Sequence, residues 1–121
     1  MVGKVNARLE AMLKIRVRGW GRARRTVHAI IDSGYTGTLT LPPRIVKALG
    51  LKRVAQSDAK LADGRLVSFD VYAALVEWDG KLLPLLIDQS PAEPLIGMSL
   101  LAGHDLKIRV KPRGPVSILR F

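Results

Sequence analysis

The feature that most constrains this chain is the interval between its turn signals. Runs of alternating apolar and polar residues are broken roughly every eight to twelve residues by turns rich in glycine, proline or aspartate, the pattern of an antiparallel β domain. Met12 to Arg18 reads as a strand, Gly19-Trp20-Gly21 as a tight turn, and Arg22 to Ile31 as the returning strand. Asp32 to Gly37 is a loop with two glycines, followed by a short strand from Thr38 to Leu41. Pro42-Pro43 opens a short helix with Ile45 and Leu49 on one face, and Gly50 ends it. From Lys52 to Asp88 the spacing predicts two more hairpins, with Asp63-Gly64 and Asp79-Gly80 as primed two-residue turns. After a loop from Gln89 to Pro94 come Leu95-Ile96-Gly97, a helical turn at Met98 to Ala102, a strand from Leu106 to Val110, and an outer strand from Val116 to Phe121. The expectation is one domain over residues 1–121, with its core from about residue 10 onward.

Composition sets the outer limits. The 121 residues are 48% hydrophobic and 25% charged, which excludes a disordered or collagen-like chain. The aliphatic run from Leu82 to Ile87 is far short of the roughly 20 residues a membrane helix needs. Lys4, Arg8, Glu10 and Lys14 interrupt the N-terminal stretch, so it lacks the apolar core of a signal peptide and a cytoplasmic location is expected. With no cysteine, disulfides, iron–sulfur clusters and thiol catalysis are excluded. His28 and His104 have no ligand spacing, so neither a metal nor another cofactor is expected. None of the serines lies in a nucleophile elbow, and no glycine-rich loop matches a phosphate cradle.

The net charge of +10 is unevenly placed, since residues 1–60 carry 13 Lys and Arg against 3 acids. Lys14, Arg16, Arg18, Arg22, Arg24 and Arg25 stand within one predicted hairpin with no acid among them. Two readings fit this stripe. It can be a solvated strand face, which the alternation with Ile15 and Val17 favours, or a track for a phosphate backbone with Trp20 as a stacking surface.

The segment Ala29-Ile30-Ile31-Asp32-Ser33-Gly34 delivers an acid from an apolar strand into a glycine turn. A carboxylate there loses water, which disfavours its charged form unless hydrogen bonds or a function compensate. The plain alternative is that Asp32 caps its own turn, as Asp commonly does before Ser-Gly.

The run from Asp32 to Pro42 resembles the catalytic segment of retropepsin-like aspartic proteases of clan AA, in particular their small single-domain bacterial and archaeal members. Leu95-Ile96-Gly97 ahead of a helical turn is similar to the second hallmark of that family, and Asp63-Gly64 stands where its flap tip should be. The resemblance implies an all-β, closed antiparallel barrel with one or two short helices and an aspartic endopeptidase activity on peptide or protein substrates. Asp32 would be catalytic, with Ser33 and Gly34 supporting it, Ser33 replacing the more usual threonine. Tyr35 replaces the small residue of the viral enzymes. The chemistry needs two facing carboxyl groups sharing one proton, and this chain has one Asp-Ser-Gly. Asp63, Asp79 and Asp88 read as turn or strand-end residues, so the second carboxyl group is expected from another copy in a two-fold homodimer. Such a pair would titrate as a unit.

Overall fold

The alternation is realised most clearly in strand β2 (Ala11–Arg18), where Leu13, Ile15 and Val17 are buried while Lys14 and Arg16 face solvent. The structure, a computed structural model, describes residues 1–121. Instead of the expected tight turn at Gly19-Trp20-Gly21 and return from Arg22, a longer connection from Gly19 to Ala23, with Gly19 N–H donating to Ala23 O, leads into β3 (Arg24–Ile31). β4 (Leu39–Leu41) follows the glycine loop, and helix α1 (Pro43–Ala48) begins on the two prolines. Proline fits this position because its missing N–H would be unsatisfied there anyway. The helix stops at Gly50, whose φ of 61° suits a residue with no side chain. Three long strands come next: β5 (Lys52–Lys60), β6 (Leu66–Trp78) and β7 (Lys81–Gln89). The chain ends with β8 (Leu95–Ile96), helix α2 (Met98–Leu101), β9 (His104–Ile108) and β10 (Pro115–Arg120).

Six strands close a barrel in the order β2, β3, β8, β4, β7, β6, with the β6–β2 pairing completing the ring. Leu39, Leu41, Ile87 and Ile96 are completely enclosed at its centre, and α1 and α2 contribute Ile45, Val46, Leu100 and Leu101. Each such side chain contributes about 1.5–3 kcal/mol by leaving water. Beyond the barrel, β5 and the first part of β6 project as an exposed hairpin, and β1 (Val2–Val5), β10 and β9 extend the other flank. No helix is long and apolar enough to cross a membrane.

Four further expectations need correcting. The ordered sheet starts at Val2 rather than near residue 10, because β1 pairs with both β2 and β10 and the Met1 ammonium donates to Ile118 O at 2.7 Å. The C-terminal strand β10 therefore lies between β1 and β9, and β9 is the outer one. The barrel is not wholly antiparallel, since β3–β8 and β4–β7 run parallel, joined by crossovers that hairpin signals do not report. The two Asp-Gly dipeptides also differ. Asp79 and Gly80 both have positive φ and form the expected primed turn between Trp78 and Lys81, whereas at Asp63-Gly64 only Gly64 does. There Gly64 N–H donates to Leu61 O and Leu61 N–H to Arg65 O, the three-residue loop in which an ordinary turn is followed by a left-handed glycine.

Candidate active site

Asp32 follows the last residue of β3, and two backbone bonds join this strand end to β8. Ile30 N–H donates to Pro94 O at 2.8 Å, and Asp32 N–H donates to Ile96 O at 2.9 Å. The chain then doubles back, with Tyr35 N–H donating to Asp32 O and Gly34 N–H donating to Asp32 Oδ1 at 2.8 Å. One carboxylate oxygen is thus fixed by the loop's own backbone, and Oδ2 has no partner within the chain. The side chain is half-buried, so it is less sealed from water than its apolar strand suggested. No cation pairs with it, whereas Asp63, Asp70, Glu77 and Asp79 are each held by an arginine.

Gly34 stands beside Asp32 as expected, but the Ser33 side chain is exposed and its hydroxyl makes no hydrogen bond within the chain. Support comes instead from β8 and the start of α2. Gly97 N–H donates to Thr38 O, Met98 N–H to Tyr35 O and Ser99 N–H to Gly37 O, and the Ser99 hydroxyl donates to Thr36 O. This close approach explains the glycine at 97: a Cβ there would fall on Gly37 O and lie 2.8 Å from Tyr35 O. Leu95, Ile96 and Gly97 therefore serve as the platform on which the Asp32 loop rests. Thr40, buried beneath it, accepts Leu95 N–H through Oγ1.

Tyr35 is half-buried under the loop and donates its hydroxyl to Asp88 Oδ2 at 2.6 Å. Burial pushes the Tyr35 phenol well above its ordinary range, and the hydrogen bond and negative charge of Asp88 push it further the same way. Asp88 lies near the end of β7, as the sequence suggested, but it is a partner of the loop rather than a turn residue. The parallel register that sets Asp88 beside Thr40 has no local signal in the sequence.

Asp63 and Gly64 lie at the tip of the β5–β6 hairpin. The Asp63 carboxylate accepts both the backbone N–H and Nε of Arg65, and no hydrogen bond joins this tip to the Asp32 loop. β5 is exposed along its whole length, so the hairpin stands free of the barrel.

No family model and no curated sequence matches the chain. Solved structures do. A retropepsin-like aspartic protease from Rickettsia conorii is 16% identical with a TM-score of 0.59, covering 100% of this chain and 89% of that one. The EIAV protease, solved with the inhibitor HBY-793, is 12% identical with a TM-score of 0.59, covering 79% of this chain and 88% of that one. Likeness at these identities establishes architecture, and the chain has the retropepsin-like fold.

Proposed function

We propose that this retropepsin-like chain works as an aspartic endopeptidase with Asp32 as its catalytic residue, paired with the Asp32 of a second copy across a two-fold axis. The observation that carries the reading is the Asp32 loop itself. It presents one carboxylate with Oδ1 held by Gly34 N–H, Oδ2 free and no cation beside it, on a platform made by Leu95, Ile96 and Gly97. A single chain supplies one such group, and peptide hydrolysis by this route needs two.

In the pair, one proton is shared. The ionised carboxyl group takes a proton from the attacking water while the protonated one hydrogen-bonds the scissile carbonyl and stabilises the developing oxyanion. The hydroxyl of Ser33, exposed and unpaired within the chain, is left free to support the carboxyl pair. Met98 and Leu86, 47% and 60% exposed, adjoin this loop and are apolar surface that a second copy would cover. The β5–β6 hairpin, with Leu66 and Val67 exposed, would close over a bound peptide.

Asp32→Asn tests the assignment, because it keeps the side chain's size while removing the titrating group. Cleavage of a mixed peptide library, read by mass spectrometry, should fall by a factor of about a thousand or more, in keeping with the loss of a general acid–base pair. The variant should remain folded, since an amide oxygen still accepts Gly34 N–H. Undiminished cleavage by purified Asp32→Asn protein would remove Asp32 from the mechanism.

A further inference from the structure

We propose that the outer face of the β2–β3 hairpin is a binding site for single-stranded nucleic acid, separate from the Asp32 loop and independent of the proteolytic reading. β3 starts at this face and leads to Asp32, so at about 3.3 Å per residue Arg24 lies roughly 25 Å from Asp32 and His28 about half as far.

Lys14, Arg16 and Arg18 all project outward from β2, and the register sets His28, Thr26 and Arg24 opposite them. Arg18 thus faces Arg24, and like charges directly opposite one another weaken a sheet. The acid that reaches this face is Glu77, 3.8 Å from Arg16 Nε and 3.7 Å from Arg18 Nη2, which is beyond hydrogen-bond length and shared between two cations. Arg18 Nε is buried with no partner at all. A solvated strand face does not account for a guanidinium that is half enclosed and left with an idle donor.

The face is concave. Arg16, Arg18, Arg24, Arg25, Thr26 and Glu77 line a hollow of about 200 Å³ with no apolar residue. A second hollow of about 240 Å³ shares Arg25 and Thr26 with it and adds His28 and Arg44, beside Glu93 and an apolar wall that includes Ile45 and Pro94. Cations two residues apart on an extended strand recur at roughly 6.6 Å, a spacing that a stretched sugar–phosphate chain with one charge per nucleotide can follow. Arginine predominates, and its planar fork suits phosphate oxygens.

Trp20 favours nucleic acid over an acidic protein. It follows Arg18 at the end of the stripe, is 53% exposed, and donates Nε1 to Ala73 O at 3.0 Å, which fixes the ring. A held, exposed indole beside a cationic groove is a platform on which a base can stack.

The test is fluorescence anisotropy with a labelled oligothymidylate of about twenty nucleotides, long enough for a single-strand site of about 4–16. Affinity should fall with salt at a logarithmic slope of about −3, corresponding to four or five phosphates at roughly −0.7 each. Arg16→Gln with Arg24→Gln should weaken binding about tenfold or more and flatten the slope by about 1.4. Arg24→Gln alone, at the exposed start of β3, should give about half of that flattening and guards against a folding defect in the pair. Trp20→Ala should weaken binding about fivefold or more while leaving the slope unchanged. Asp32→Asn should bind like the unaltered protein. Lys107→Gln with Lys111→Gln removes the same charge from another surface, and an equal loss there would reduce the effect to net charge and overturn the site. Displacement by polyglutamate at equal charge, as readily as by unlabelled oligonucleotide, would make this a surface for acidic proteins. Absence of binding at low salt would remove it altogether.

Discussion

Tyr35 links the candidate site to the barrel through one hydrogen bond, so its hydroxyl has a measurable role. Tyr35→Phe leaves the Asp88 carboxylate half-buried without its donor, which should lower stability by about 1–2 kcal/mol at neutral pH. The pH dependence has a definite sign. The folded state holds the Tyr35 phenol above its ordinary value near 10, so the stabilisation is complete below that pH and is lost as pH rises through it, when the unfolded chain ionises first. Urea unfolding of the two proteins should therefore converge above about pH 10, and curves that stay parallel through that window would show that the hydroxyl carries no linkage. At this scale the sequence was only partly legible. Asp32, Gly34 and Gly97 lie in runs whose local pattern announces them. The Tyr35–Asp88 bond joins residues 53 apart and exists through a parallel register, which leaves no trace in either segment.

Hairpins show why the same dipeptide yields two structures. Asp79-Gly80 closes a pair of strands in register from Val71 to Trp78, so the chain must reverse within two residues and both adopt positive φ. In the other hairpin the ladder ends at Lys60 and Leu66, leaving room for a wider loop in which the Asp63 carboxylate holds the Arg65 N–H and only Gly64 takes the left-handed conformation, at φ 87°. The positions of these turns were readable, but the type of the second depended on how far the ladder runs. A Cβ at position 64 meets no neighbouring atom, so the cost of Gly64→Val is chiefly backbone strain of about 1–2 kcal/mol confined to the tip. Because β5 is exposed throughout, that strain relaxes by local fraying, and the melting temperature should change little. If the hairpin covers a peptide, kcat/KM should drop about tenfold, chiefly through KM, as an equivalent loss of binding would produce. Unchanged cleavage kinetics would separate this hairpin from the substrate.

At the scale of the molecule, hairpin signals located most strands but not the ring they form. The barrel closes through β3–β8, β4–β7 and β6–β2, pairings between segments distant in sequence, and β1 is too short to show a period. Under the proposed mechanism, completion of the site depends on assembly in the same non-local way. If catalysis needs two Asp32 groups, activity per chain must fall on dilution with the dimer fraction, and sedimentation must give the same midpoint. Charge adds a second constraint, because each copy carries +10 and bringing two together concentrates that repulsion. Salt shortens the reach of such repulsion, to about 8 Å at physiological ionic strength, so the common midpoint should move to lower protein concentration as salt rises. Binding of a phosphate chain to the β2–β3 groove responds in the opposite direction, since salt competes with counterion release. One titration of salt thus separates the two activities, with cleavage at fixed chain concentration rising over the range where oligonucleotide binding falls. Activity that stays constant down to concentrations where only monomer sediments would rule out a site shared between copies.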